Sequence, residues 1–579
     1  MTLGPATDRR TFASDYAIDA RLAGLLGPDG PFAVEEVLVD GVRIRSFVHI
    51  PGSLVDVFAI AQAHRDLVHL VFENDRLTFG DIRSQALGLA QRLKSDLHVG
   101  QGDRIAIAMR NYPEFVPAFW AAVVLGAIVV PLNSWWQGQE LHTALEECGA
   151  KVVFADAERI ERLASVGRGH SAPAIVGVRT AGSSHVGDHS YNDLAFGPGL
   201  DPAEFATAAT DDVVAISYTS GTTGRPKGVV ITHRGILCSI MNMGFATVRD
   251  MTISGTQPSG PPVQSSGIQA APLFHIGGIN GITGAAMAGA KITLLRRWDI
   301  EKAMRLAEQE NVTSLGGPPT IARQMLEHPD VMRFRRQVTG FSMGAASVPP
   351  DLVGLTGEVF GDSVRVYNGY GLTETTSAVV NNIGAEYFAH PDSVGRLNIT
   401  ADLLVEGPTG ESLGPGEVGQ LCFRSPQNAK GYWNNQAATD ESFIDGWFRS
   451  GDLGYIDDDS YIFVVDRLKD VIIRGGENIY CAEVEAVLFE HPDVLDVVLI
   501  GLPERIMGER ACAVIVARPG TQPTPTDLRE FAGRRLAAFK CPEAFYLTDE
   551  IPRTPTGKTV KKAVRDHVID DDQRIVATW

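Results

Sequence analysis

Cysteine is scarce in this chain. The six residues, Cys148, Cys238, Cys422, Cys481, Cys512 and Cys541, are scattered, and no two are close enough for a zinc knuckle or a redox pair. A disulfide-stapled or zinc-organised fold is excluded, and reduced structural thiols suit a reducing compartment. Positive charge is also short: 51 Lys and Arg stand against 70 Asp and Glu, a net of -19. Such a field repels phosphate backbones and anionic lipid, which argues against a nucleic-acid or membrane-surface protein. Long apolar runs are nearly absent. The one candidate, Phe115–Leu132, is interrupted by Pro117, Gly126 and Pro131, so it reads as a helix entered through proline, a glycine stop and a short buried strand. The first twenty residues lack the apolar core of a secretory signal; no export is expected, and a cytoplasmic protein is. Repeats and low-complexity tracts are missing as well.

What is present is a large foldable chain. With 579 residues, 44% hydrophobic and 21% charged, it exceeds what one core can close, and a prior of about 150 residues per domain suggests several units. Short β-branched runs at Arg104–Met109, Ile128–Leu132, Lys151–Phe154, Val213–Tyr218, Lys291–Leu295 and Val364–Tyr367 alternate with helical stretches. That alternation predicts α/β architecture with largely parallel sheets. From about residue 396 closely spaced turns and strands predict a β-rich subdomain. Residues 467–579 carry 16 Lys or Arg against 18 Asp or Glu, a nearly neutral region suited to phosphate ligands beside a strongly acidic larger one.

The sharpest local signal follows the strand-like run Val213–Ser217: Tyr218-Thr219-Ser220-Gly221-Thr222-Thr223-Gly224-Arg225-Pro226-Lys227-Gly228. Glycines, hydroxyls and one compact cation at a strand end are what a polyphosphate needs, since they supply bare N–H groups, side-chain donors and positive charge. It is not a Walker A loop, because Arg225-Pro226 separates the second glycine from Lys227. Downstream come Tyr370-Gly371-Leu372-Thr373-Glu374, Ser450-Gly451-Asp452, Asp466-Arg467-Leu468-Lys469-Asp470 and Pro555-Thr556-Gly557-Lys558. In this order and spacing the five motifs resemble the adenylate-forming enzymes, and among them the acyl-CoA synthetases, over residues 50 to 565.

That resemblance implies an ATP-, Mg2+- and coenzyme A-dependent ligase of a carboxylic acid. It implies an N-terminal extension (1–50), an ATP- and acid-binding region (51–466), a hinge (467–469) about Lys469, and a mobile α+β C-terminal domain (470–579). Lys227 with Thr219, Ser220, Gly221, Thr222, Thr223 and Gly224 is expected to hold the β- and γ-phosphates of ATP by electrostatics. Glu374 is expected at Mg2+, Thr373 at the α-phosphate and Tyr370 against adenine. Asp452, an acceptor through two oxygens, suits the ribose hydroxyls, with Arg467 assisting. Lys558 is expected to neutralise charge in the adenylation transition state. Gly475 and Gly476 would let backbone approach the pantetheine arm, and Arg474 is a candidate for a CoA phosphate.

His275 is expected to line the carboxylate pocket and the CoA tunnel, with Gly277, Gly278, Ile279, Asn280, Gly344, Ala345 and Ala346 as walls. Amino-acid-adenylating relatives resemble the His275 site with an Asp, whereas Phe274-His275 offers no partner for an ammonium; an uncharged, fatty or related hydrophobic tail is implied. Gly278-Ile279 stand where some long-chain relatives resemble this segment with an aromatic gate. An enzyme acting on an aromatic acid or loading a carrier protein, and a non-catalytic adenylate-binding regulator, remain alternatives. Trp135, Trp136 and Trp298 read as packing residues.

Overall fold

The computed structural model describes residues 10–16, 19–167, 172–219, 226–255, 263–269, 271–361, 364–553 and 559–577. All six expected strands form, within a residue or a few of the ranges read from the sequence. A seven-stranded sheet runs His189–Ser190, Ala174–Val178, Ala150–Asp156, Arg104–Ala108, Ile128–Pro131, Val213–Thr219, Lys227–Thr232. Its strands are parallel except for the last pair. A nine-stranded sheet has a parallel centre of Arg365–Leu372, Gly340–Gly344, Ser314–Gly317, Ser266–Gln269, Lys291–Leu294 and Val68–Phe72, with antiparallel edges.

The apolar run resolves as the sequence pattern predicts. Phe115–Val124 is a helix with all ten residues buried, Gly126 takes φ 64°, and Ile128–Pro131 is a fully buried strand. A helix apolar on every side must be covered on every side. Phe115, Phe119 and Trp120 share one core with Leu70, Phe72 and Ile292 of one sheet and Ile105 and Val129 of the other. Each such side chain contributes about 1.5–3 kcal/mol of burial. Among the described residues, no helix is long and apolar enough to cross a membrane.

The β-rich region is an antiparallel sheet of Asp402–Glu406, Gly419–Arg424, Trp447–Ile456 and Ile462–Arg467. Phe12–Ala13 of the N-terminal segment joins its edge beside Asp402–Leu403. The hairpin Val34–Val39/Val42–Phe47 follows, and Tyr16, Leu22, Phe32 and Phe47 form a small core with Cys238, Phe245 and Ile399. A further sheet of Ile472–Arg474, Glu477–Ile479, Val494–Glu504, Gly508–Ala517, Ala544–Thr548 and Val576–Ala577 closes the chain. Trp136 is a core residue, but Trp135 is 42% exposed and takes the Arg110 guanidinium on its ring at 3.5 Å.

Candidate active site

The strand Arg365–Leu372 runs into a single 3-10 turn, Thr373–Thr375, which carries Glu374. Gly371 has no alternative here, because a Cβ would lie 2.0 Å from the Ser377 carbonyl oxygen. Thr375 Oγ1 accepts from the Leu372 N–H at 2.9 Å and donates to the Ser377 carbonyl at 2.8 Å. Beyond the turn Thr376 and Ser377 have φ of 48° and 90°, a conformation costly for side-chain-bearing residues unless the surroundings impose it. Gln427 imposes it. This fully buried side-chain amide donates to the Thr375 and Ala378 carbonyls and accepts from Asn242 and Asn398, while the backbone carbonyl of Gln427 accepts from Thr376 Oγ1.

Glu374 is buried, 9% exposed. Tyr432 Oη donates to its Oε1 at 2.9 Å, and Lys227 Nζ lies 4.8 Å from the centroid of the same tyrosine ring. Burial pushes the Glu374 carboxyl up from its ordinary range, opposed by the Tyr432 hydrogen bond and by the charges of Arg467 and Lys227. The backbone explains the meeting. Thr219 pairs with Lys227 across the antiparallel strands Val213–Thr219 and Lys227–Thr232. Residues 430–433 run along the latter through the Lys430–Val230, Val230–Gly431 and Trp433–Gly228 backbone bonds. Ser220, Gly221, Thr222, Thr223 and Gly224 lie outside the described residues.

A second cluster forms around Tyr370, on the same strand that leads to Glu374. Asp452, 2% exposed, sits opposite Arg467 in the ladder of Trp447–Ile456 with Ile462–Arg467. Tyr370 Oη donates to Asp452 Oδ2 at 2.7 Å, and Arg467 Nε lies 2.9 Å from Oδ1 as an ion pair. Ser450 Oγ accepts the Asp452 N–H at 3.0 Å. Burial first, and the Asp452 charge second, push the Tyr370 phenol well above its usual value. Lys469 lies two residues after Arg467 on an exposed stretch, and partial desolvation pushes its ammonium pKa down. Lys558 lies outside the described residues; on its flanks Arg553 pairs Asp496 at 2.6 Å and Lys561 pairs Glu485 at 2.9 Å.

His275 precedes the helix Ile276–Ala288 in extended conformation. Its ring leans on Phe274, centroids 4.3 Å apart, and Nε2 is buried without a hydrogen-bond partner. Burial lowers its pKa to about 4, so it is a neutral imidazole at pH 7. Asn280, one turn on, ties this helix to the Glu374 turn through the Thr376 carbonyl at 3.2 Å. Of the small residues, Gly277 has open space where a Cβ would be, while a Cβ on Gly278 would strike the Leu273 backbone at 2.4 Å. Gly344 ends a strand beside Gly369, and Ala345 turns the chain with φ 66° ahead of Ala346.

Gly475 and Gly476 form the two-residue turn between Ile472–Arg474 and Glu477–Ile479. Their φ values of 60° and 90° are what a tight hairpin of primed type requires. Arg474 is engaged by Glu543, Nε to Oε2 at 3.0 Å, so this guanidinium is committed within its own sheet.

Among the described residues no group of three or more His, Cys, Asp or Glu side chains could hold a metal. Glu374 offers one hard carboxylate, which fits Mg2+: that ion keeps its waters and is bound through one or two carboxylates plus substrate phosphates. Tyr432 and Gln427 are absent from the motif reading, since a tyrosine and a glutamine in "SPQNAKGYW" carry no signal of their own.

A buried carboxylate met by a tyrosine and an arginine stands beside a second carboxylate whose tyrosine partner carries a lysine on its ring, both near the ends of α/β strands. The AMP-binding enzyme family matches residues 57–433 and the AMP-binding enzyme C-terminal domain residues 483–558. The chain belongs to that family. It is 32% identical over 496 residues to a long-chain-fatty-acid–CoA ligase of Mycobacterium tuberculosis, covering 85% of this chain and 93% of the relative. To a feruloyl-CoA synthase of Amycolatopsis it is 33% identical, covering 84% and 93%. An o-succinylbenzoate CoA synthetase of Bacillus subtilis, solved with its acyl-adenylate intermediate, superposes with a TM-score of 0.75 at 25% identity, covering 90% of this chain and 99% of that one.

Proposed function

We propose that this chain is an AMP-forming acid–CoA ligase acting on an uncharged hydrophobic carboxylic acid, in the cytoplasm. The carrying observation is that the two clusters Lys227–Tyr432–Glu374 and Tyr370–Asp452–Arg467 gather the motif residues around two buried carboxylates, Glu374 and Asp452, with the Arg467 charge acting on both. Its relatives' acid–thiol ligase activity and the family's ATP, Mg2+ and CoA requirement point the same way.

In the first half-reaction a carboxylate oxygen of the acid attacks the α-phosphorus of ATP. The acyl–O–P bond forms, the bond to the bridging oxygen breaks, and pyrophosphate leaves with the electron pair. Lys227 and the Thr219–Gly224 segment hold the leaving phosphates, and Lys558 stabilises charge on the pentavalent centre. Glu374 would hold Mg2+, which when bound would supply charge neutralisation. Asp452 and Arg467 fix the ribose, Tyr370 stacks by the base, and the neutral His275 borders the carboxylate without competing for its charge. In the second half-reaction the CoA thiol adds to the acyl carbonyl, loses its proton and expels AMP. Turning about Lys469 exchanges the Lys558 face of residues 470–579 for the Gly475–Gly476 face. The division at 466–470 draws support from the separate match of the C-terminal domain.

The test is a panel of aliphatic, alicyclic and aromatic acids assayed for CoA-dependent release of AMP and pyrophosphate. Lys558→Ala should abolish adenylation, by about 100-fold or more on the scale of one preorganised charge-stabilising donor, yet still form thioester from supplied acyl-adenylate. Equal loss of both steps refutes the role of Lys558, and release of AMP without CoA consumption refutes the ligase reading.

A further inference from the structure

One tyrosine stands between the two oppositely charged side chains of the nucleotide site. Its hydroxyl donates to Glu374 Oε1 at 2.9 Å, and its ring face receives Lys227 Nζ at 4.8 Å. Glu374 and Lys227 feel one another's charge. In a buried environment such charges pair directly unless something better holds each, and a direct ion pair would withdraw the ammonium from phosphates and the carboxylate from a cation. Tyr432 offers each charge a separate seat: a charge-assisted O–H···O bond for the carboxylate and a cation–π face for the ammonium.

The tyrosine is itself fixed. Its N–H donates to Thr439 Oγ1 at 2.9 Å, its ring packs edge-on against Phe443 with centroids 5.8 Å apart, and residues 430–433 are bonded to the strand that begins at Lys227. The Ala429 N–H, three residues earlier, donates to the Glu374 carbonyl at 2.8 Å. One short segment therefore sets the position of both charged groups.

We infer that Tyr432 is a positioning residue that keeps Lys227 and Glu374 apart and separately oriented, so that the ammonium meets the phosphates and the carboxylate meets the metal. The inference rests on the roles given above to Glu374 and Lys227. Removing the hydroxyl alone releases the carboxylate, and removing the ring as well releases the ammonium.

The experiment uses the full chain with Tyr432→Phe, Tyr432→Leu, Glu374→Gln and the double variant Tyr432→Phe/Glu374→Gln. Adenylation is followed by ATP–pyrophosphate exchange, and nucleotide binding by calorimetry with α,β-methylene-ATP, with and without Mg2+. Tyr432→Phe should lower kcat for adenylation about 10- to 100-fold, the range to which a lost hydrogen bond to a charged group converts. Its metal-free affinity should stay within about twofold of the parent, because the ring still seats Lys227. In the Glu374→Gln background the same change should cost less than about twofold. Tyr432→Leu should in addition weaken metal-free nucleotide binding about fivefold or more.

A loss from Tyr432→Phe that is as large without the Glu374 carboxylate as with it overturns the inference, as does unchanged adenylation in Tyr432→Phe. Equal metal-free affinities in the Phe and Leu variants overturn the Lys227 half. Tyr432→Phe retains the ring packing, so a failure of the Leu variant to fold leaves the Phe arms decisive. The ligase reading fails on a different result, absence of CoA-dependent AMP release by the unaltered protein.

Discussion

Gln427→Leu is the most searching single perturbation of this site, because it touches no group expected to meet substrate. The Gln427 amide makes four hydrogen bonds: to the Thr375 carbonyl at 3.3 Å, to the Ala378 carbonyl at 2.9 Å, and from Asn242 and Asn398, each at 2.9 Å. Leucine keeps most of the volume and loses all four. Asn242 retains the Cys238 carbonyl and Thr400 Oγ1, Asn398 retains the Ala378 carbonyl, and Ala378 thereby retains a donor. The Thr375 carbonyl loses its side-chain donor. Four bonds at about 1 kcal/mol net, with most partners still bonded, give a cost of about 2–4 kcal/mol.

The functional effect should exceed what stability alone dictates. Thr376 and Ser377 have positive φ, and Gln427 clamps the carbonyls on either side of them. Relaxation there moves Glu374, and misplacement by about 1 Å can cost on the order of 100-fold in rate. The assays are thermal melting and ATP–pyrophosphate exchange at saturating acid. The expected result is a melting temperature lower by about 5–10 °C and adenylation slower by about 10- to 100-fold in protein that is still folded. Exchange within twofold of the parent, in a variant whose melting temperature is unchanged, would refute the clamp.

Three further outcomes follow from particular contacts. His233 is buried, accepts the Leu54 N–H at 3.1 Å, and has its pKa lowered to about 4 by burial. The native state excludes a proton that the unfolded state binds, so stability is full above about pH 6.5 and falls as pH drops toward 4, by ~3 kcal/mol from this group. His233→Asn, measured by denaturant unfolding across that window, should show a slope shallower by up to one proton; identical slopes contradict the assignment. Gly475→Ala places a Cβ at φ 60°, 2.2 Å from Met507 Cε, and should destabilise the C-terminal sheet by about 1–2 kcal/mol. Shortening Met507 to Ala should recover only the steric part, and full recovery would mean that the backbone conformation is unstrained. An acid and its α-amino counterpart of equal skeleton should differ about 1000-fold or more in kcat/KM, because an ammonium beside Phe274 and His275 has no sequence-assigned carboxylate to meet it. Comparable rates in pyrophosphate release would place an acidic group in the pocket.

The sequence was most informative where a local pattern and a tertiary demand coincide. The strand runs form because β-branched residues in parallel sheets are buried on both faces, and the Phe115–Leu132 run could be divided because Gly126 must supply a positive φ. The motif residues with local signatures, Glu374, Asp452, Arg467 and Lys227, lie in two adjoining clusters. The partners that orient them were not legible. Gln427 and Tyr432 are ordinary polar residues in a segment that reads as a loop; the side-chain contacts of Gln427 span 29 to 185 residues, and the Tyr432–Glu374 bond spans 58. The N-terminal extension was equally opaque, since Phe12–Ala13 is a strand only because Asp402–Leu403 is beside it. Gly475 and Gly476 read in the sequence as room for a ligand, whereas the hairpin they close, with φ of 60° and 90°, favours glycine on its own account.

The acidity of the chain and the anionic substrates its family consumes are reconciled by distance. At physiological salt, exposed charges beyond about 8 Å are largely screened, so a net charge of -19 weakens encounter with a long polyanion far more than it alters a single buried contact. Within the site each carboxylate is already answered: Asp452 by Tyr370 and Arg467, Glu374 by Tyr432, with Lys227 and Arg467 in range. Glu374, held by a neutral hydroxyl donor, keeps its charge for a cation, whereas a carboxylate locked to a lysine would have surrendered it. Asp452 is partly balanced by Arg467, and the Tyr370 hydroxyl adds a hydrogen bond at its other oxygen without adding charge. That is the condition under which an acidic protein can present both an acceptor and a cation to the same nucleotide.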